Sequence, residues 1–156
     1  MGKKDEMARR HLDAKFKNAG LLKALIRPQS GWIRAIRDAL GITGQILADR
    51  VGISRPRVMA IEKDEVLGKL TLNTLEKMAE ALGCELVYAL VPRQPLEKMV
   101  YEQARKKALQ ILSKTEHTMQ LENQGSFKAE KDEQLKTLID ELLKGSASAL
   151  WDDNDG

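Results

Sequence analysis

Histidine, cysteine and long apolar runs are scarce in this chain, and each scarcity closes off a class of chemistry. Of 156 residues, one is cysteine and two are histidine. Cys84 alone forms no intramolecular disulfide. With His11 and His117 far apart in sequence, it supplies none of the paired ligand spacing that a zinc site needs. A reduced, cytoplasmic setting is the expectation. Nothing resembling a glycine-rich phosphate loop is present, and Cys84 sits in an apolar run that suits buried filler better than a nucleophile. We therefore expect no enzyme activity, no metal and no cofactor. No apolar stretch approaches a membrane span, and the opening MGKKDEMARR lacks the apolar core of a secretion signal. No internal repeat appears.

What is present is charge, unevenly spread. The formal net charge is +3 and the pI about 9.0, but residues 1 to 27 carry eight Lys or Arg against three Asp or Glu, whereas residues 128 to 156 carry four against eight. The basic end suits a polyanion and the acidic end repels one. Residues 3 to 26 have an amphipathic helical pattern, with Met7, Leu12, Phe16, Leu21, Leu22 and Leu25 near one side, broken by Arg27-Pro28-Gln29-Ser30-Gly31. That helix is expected to pack on its own domain. Arg9, Arg10, Lys15 and Lys17 would add phosphate contacts as a secondary role.

The most specific pattern is TGQILADRVGISRPRVMAIE, from Thr43 to Glu62. Thr43 suits an N-cap, Ile46, Leu47 and Val51 recur at helical spacing, and Ala48 is small enough for a second helix to cross it closely. Gly52 can take the left-handed conformation that stops a helix, and Ser54 can cap the next. In that second helix Val58 and Ile61 face inward. Pro56 is tolerable in the first turn, and Arg55, Arg57 and Met59 are left at the front or the outer face. Two helices joined by so short a turn form a helix-turn-helix, and two arginines at an exposed helix start suit phosphates or a guanine edge.

Leu47-Ala48, Gly52-Ile53-Ser54, Val58 and Ile61-Glu62 resemble the core of the Xre/Cro-C1 family of phage-repressor-type DNA-binding domains. The likeness extends back to Trp32, Ile33, Ile36 and Leu40 and on to Leu72, Leu75, Met78, Ala79 and Leu82-Gly83. It implies double-stranded DNA as partner, contacted through Thr43, Gln45, Ser54, Arg55, Arg57, Met59 and Lys63. It also implies a pairing of Arg37 with Glu62, taken as the end of the reading helix. Two departures stand out. Gly44 replaces a glutamine common in relatives, and Ala60 replaces a long polar reader, so readout is expected to lean on Arg55 and Arg57.

After Gly83 the run from Cys84 to Val91, ended by Pro92, is β-branched and aromatic. It suits a strand, with a buried fifth helix as the alternative. With no second strand evident, its natural partner is the same segment of another subunit, giving a homodimer that reads an inverted repeat. A long helix follows from Leu96 to about Asn123, with Val100, Ala104, Ala108, Ile111 and Leu112 roughly in register. A second spans 129 to 144, with Leu135, Leu138, Ile139, Leu142 and Leu143 on one stripe. The tail around Leu150-Trp151 is small, acidic and expected to be mobile.

VPRQPLEKMV at 91–100, EHTMQLENQ at 116–124 and ALWDD at 149–153 resemble a small family called mobile mystery protein A. Its members accompany mobile mystery protein B, which carries a Fic domain, a fold that transfers AMP to protein hydroxyls. Thr118 to Asn123 fits the Ser/Thr-x-x-x-Glu-Gly/Asn pattern of the helix that inhibits Fic enzymes, with Thr118 and Glu122 on one helical face. The resemblance therefore implies partner contacts through Thr118, Glu122 and Asn123 and an antitoxin role beside, or instead of, a repressor's.

The sequence thus predicts a mainly α protein in four segments: a basic helical arm at 1–30, a phage-repressor-like helix-turn-helix domain with a short dimerising strand at 31–92, a helical extension at 93–145, and an acidic tail at 146–156.

Overall fold

The computed structural model describes residues 2–119 and 127–152. Those residues are helical, without a strand. The helices are α1 (Lys3–Phe16), α2 (Gly20–Ala24), α3 (Trp32–Ala39), α4 (Gly44–Val51), α5 (Arg55–Val66), α6 (Leu72–Ala81), α7 (Leu96–Met119), α8 (Phe127–Lys144) and α9 (Ala147–Trp151). They form two compact units, residues 21–90 and residues 1–20 together with 91–156.

In the first unit α3 to α6 close around Ile33, Leu47, Ala48, Val58, Ile61, Met78 and Leu82, flanked by Ile36, Ile42, Val51, Ile53 and Leu75. Leu47, Val58 and Met78 are wholly buried. Each such side chain contributes roughly 1.5–3 kcal/mol by leaving water. Ala48 is buried without remainder, and α4 packs on both α5 and α6. Trp32, Leu40, Ile46 and Leu72, which share the apolar pattern, lie largely outside this core.

The second unit is discontinuous in sequence. α7 carries Val100, Ala104 and Ala108 against Ile139 of α8 and Leu150 of α9. Ala104 and Ala108, one turn apart and wholly buried, leave little bulk between α7 and its neighbours. α1 packs on α7 as well. Asp13 accepts from Leu96 N (2.8 Å) and Glu97 N (3.3 Å), capping α7 from 83 residues away in sequence, and Arg9 pairs with Glu97 at 3.0 Å.

Three expectations change. The helix foreseen over 3–26 is two helices, broken at residues 17–19, where Asn18 is a weak helix former; α1 meets α7 through Arg9 and Asp13 and not through the apolar stripe, of which Met7, Leu21 and Leu25 are exposed. The dimerising strand foreseen at 84–91 is not a strand, nor is it the alternative fifth helix; residues 84–90 have no regular structure. A strand exists only through ladder bonds to another, and the described residues of the single chain offer none. Of the tail, Ala147–Trp151 is helical. Gln103 donates to Leu150 O at 3.1 Å and Lys107 to Ala149 O at 2.5 Å, so Leu150 is held down and buried.

Removing the remote cap should weaken the second unit. Asp13→Ala leaves two helix N–H groups without their carboxylate, and thermal unfolding should show a loss of about 1 kcal/mol.

Candidate nucleic-acid interface

The helix-turn-helix is built from local signals that act as the sequence suggests. Thr43 Oγ1 accepts from Ile46 N at 3.2 Å to open α4, and Ser54 Oγ accepts from Arg57 N at 3.3 Å to open α5. Between them Gly52 stands at φ 78°, a left-handed conformation that an L side chain disfavours. Gly52 N and Ile53 N both turn back to Ala48 O, at 2.9 and 3.0 Å, and finish α4 within two residues of the next cap.

α5 is anchored by a stripe that is half apolar and half carboxylate. Val58, Ile61, Glu62 and Glu65 recur at helical spacing and are all buried. Glu62 receives Arg37 Nε at 2.6 Å and Nη2 at 3.3 Å, a two-point pairing of planar groups, while Arg37 Nη1 donates to Ile42 O at 3.1 Å and lies 2.8 Å from Asp38. The bond to Glu62 raises the Arg37 guanidinium above its ordinary value; burial opposes the shift and Asp38 adds to it. The pair that the repressor resemblance implied is therefore present, and it is internal.

Glu65 was not anticipated. Its carboxylate accepts from Trp32 N at 2.7 Å and Ile33 N at 3.0 Å, supplying α3 with the N-cap that Gly31 cannot provide. Gly31 is required there: at φ 83° it already strains any side chain, and a Cβ would fall 2.6 Å from Glu65 Oε2. Arg27 closes the same corner by donating to the carbonyls of Glu65 and of Val66, the latter at 3.1 Å. The sequence did hold a signal, since Glu62 and Glu65 continue the Val58–Ile61 stripe; a search for apolar periodicity alone passes over it.

With α5 fixed on its inner side, the sequence-predicted contact residues Thr43, Gln45, Ser54, Arg55, Arg57, Met59 and Lys63 are all exposed. Gln45 is engaged with Asp49 at 2.8 Å, whereas neither the Arg55 nor the Arg57 side chain has a hydrogen bond or ion pair among the described residues. At about 100° per residue the two arginines stand on opposite edges of the exposed arc of α5, with Met59 near Arg55 and Lys63 close to the middle of the arc. α5 continues to Val66, so Lys63 lies within the helix and not beyond its end. Thr118 belongs to α7 by its backbone, while Glu122 and Asn123 lie outside the described residues. Of the basic arm, Arg9 and Arg10 are paired with Glu97 and Glu6, the latter at 2.5 Å. Among the described residues no cluster of His, Cys, Asp or Glu is placed to hold a metal, and no helix is long and apolar enough to cross a membrane.

Residues 33–88 match the family described as Helix-turn-helix, a match that covers α3 to α6 and the segment after them and points to a DNA-binding regulator. It does not reach the C-terminal segments that resemble mobile mystery protein A. No curated protein and no solved structure matches the chain.

Because the Arg37–Glu62 pair is buried, Arg37→Ala or Glu62→Ala should cost about 3–5 kcal/mol, the surviving charge being left unpaired. The double change Arg37→Met with Glu62→Leu should recover much of that stability. Thermal melts of the three variants check this; unchanged melting with lost DNA binding would place both residues on the DNA surface instead.

Proposed function

We propose that the chain is a cytoplasmic transcriptional repressor, acting on its own operon, that reads an inverted repeat in DNA as a homodimer. The observation that carries this reading is the amino end of α5: rigidly seated by buried carboxylates on one side, it presents two unpaired arginines on the other. A positive, N–H-rich helix start of this kind suits the major groove, where arginine distinguishes guanine and lysine meets phosphate. The homodimer is supported by the apolar run after α6, where Val87, Tyr88 and Leu90 are 71%, 70% and 89% exposed. Antiparallel pairing with a second copy would supply the ladder bonds missing in one chain and bury these side chains. A two-fold dimer would set two α5 helices on half-sites one helical turn apart, roughly 34 Å.

Footprinting with the full chain tests the reading. A protected palindrome is expected, and Lys63→Ala should weaken all sequences about equally while reducing the salt slope by about one ion. An asymmetric, sequence-blind footprint would overturn it.

A second reading, inhibition of a Fic-domain AMP-transferase, is favoured by the Thr118–Asn123 hexapeptide and by the resemblance of the C-terminal segments. Glu122 would pair with the arginine that such an enzyme offers to the ATP γ-phosphate. On that reading Glu122→Gly leaves operator binding intact and releases AMP transfer by a co-expressed Fic protein. No complex with it, or a partner that stays silent with Glu122→Gly, would remove this role.

A further inference from the structure

Exposed apolar surface is concentrated at the two ends of the helix-turn-helix unit. Among the described residues, and apart from Met7, the large apolar side chains more than two-thirds exposed fall into two short runs. Leu21, Leu25 and Ile26 are 80%, 68% and 82% exposed where the chain enters the unit, and Val87, Tyr88 and Leu90 stand bare where it leaves. Only Lys23 carries charge between Leu21 and Ile26, and nothing does from Leu86 to Val91.

Neither run is a frayed end. The entry run closes on Arg27, which donates to the carbonyls of Glu65 and Val66. The exit run starts from Cys84, which packs on the core and whose N–H reaches Ala79 O at 2.8 Å. In the second unit Asp13 binds the N–H groups of Leu96 and Glu97, so the chain before the entry run and the chain after the exit run are tied at one point. Apolar side chains held in water between fixed points are unfavourable in a lone chain, and surface of this kind marks an interface.

Pairing of the exit run with its copy accounts for only part of that surface. Among the described residues the backbone of 85–91 makes no hydrogen bond, and a second strand would satisfy one edge. Residues 87–90 are all exposed, however, so neither face of the run lies on its own domain. A bare two-stranded ribbon is marginally stable at best. Alternation puts Leu86, Tyr88 and Leu90 on one face and the smaller Val87 and Ala89 on the other, and only one face of an antiparallel sheet can be left to water without cost. Tyr88 and Leu90 alone fall well short of the roughly 800 Å² that each partner gives to a stable interface; with Leu21, Leu25 and Ile26 the apolar surface approaches it.

Resting on the homodimer proposed above, we infer that the entry run is the other half of the dimer interface: Leu21, Leu25 and Ile26 of both copies cover the Leu86–Tyr88–Leu90 face of the ribbon that the two exit runs form. The two-fold axis of an antiparallel ribbon stands normal to it, so both α2 helices fall on that one face. A helix about 10 Å across spans two strands about 4.8 Å apart, so each α2 touches the partner's strand as well as its own.

Sedimentation equilibrium of the full chain tests this. Wild type should dimerise, and Leu25→Ser with Ile26→Ser should weaken the dimer by about tenfold or more, as should Leu90→Ser. Val87→Ser, on the solvated face, should do less. At dilutions where every chain is monomeric all should melt alike, because these side chains are then already in water. As a second readout, copies with Leu25→Cys mixed with copies with Leu90→Cys, both in a Cys84→Ser background, should give a disulfide-linked mixed dimer on mild oxidation.

Loss of the dimer with only one of the two sets of variants, and no mixed disulfide, would overturn the assignment while the homodimer itself stands. A wild-type chain that stays monomeric is a separate result, removing the homodimer and this interface together.

Discussion

The carboxylates of Glu62 and Glu65 hold the helix-turn-helix unit together at the point where burial and charge meet. Both project from the inner face of α5 into space that an ordinary amphipathic helix would fill with leucine. A buried carboxylate is costly unless its oxygens are satisfied. Here Glu62 is met by the Arg37 fork and Glu65 by two backbone N–H groups at the head of α3. Both interactions tie α5 to α3, one near its end and one at its beginning. The register between these helices is therefore fixed by directional bonds as well as by the packing of Ile33 against the shared core. Apolar contact alone would tolerate sliding at small cost; a two-point salt bridge and a two-point cap do not.

That rigidity has a bearing on the outer face. Side chains that read DNA must be held within a fraction of an ångström of their acceptors, and those on a helix gain this from the helix's own seating. α5 is seated on one side by Val58, Ile61, Glu62 and Glu65. The buried carboxylates Glu62 and Glu65 are satisfied on the inner side of the helix, while Arg55, Arg57 and Lys63 are left exposed on the outer side, which also carries the half-exposed Asp64.

The use of one helix to cap another recurs in the second unit, where Asp13 of α1 stands over the start of α7. Neither α3 nor α7 is preceded by a residue with a capping side chain: α3 follows Gly31, and α7 follows Pro95. By contrast α4, α5 and α6 carry their own caps in Thr43, Ser54 and Thr71. Such remote caps leave orphan donors satisfied only after the chain has folded, so they reinforce tertiary structure without specifying it locally.

The helix-turn-helix itself was legible in the sequence because its determinants are local. Thr43, Gly52 and Ser54 each act within a few residues, and the spacing of Leu47, Ala48, Val58 and Ile61 is a property of a single turn after another. The exposed arginines were legible for the same reason. What only the tertiary structure decided are matters of partner choice across long separations. Glu65 finds the head of α3, Asp13 finds the head of α7, and Arg37 finds Glu62. The same limit applies to the run after Gly83, which is not a strand in the single chain. Alternation and β-branched residues declare a willingness to pair, but a strand is made by hydrogen bonds to a second strand, which a local pattern cannot supply. Helical structure closes its bonds within a few residues and is written in the sequence, whereas capping from afar, ion pairing and strand pairing depend on where the rest of the chain comes to lie.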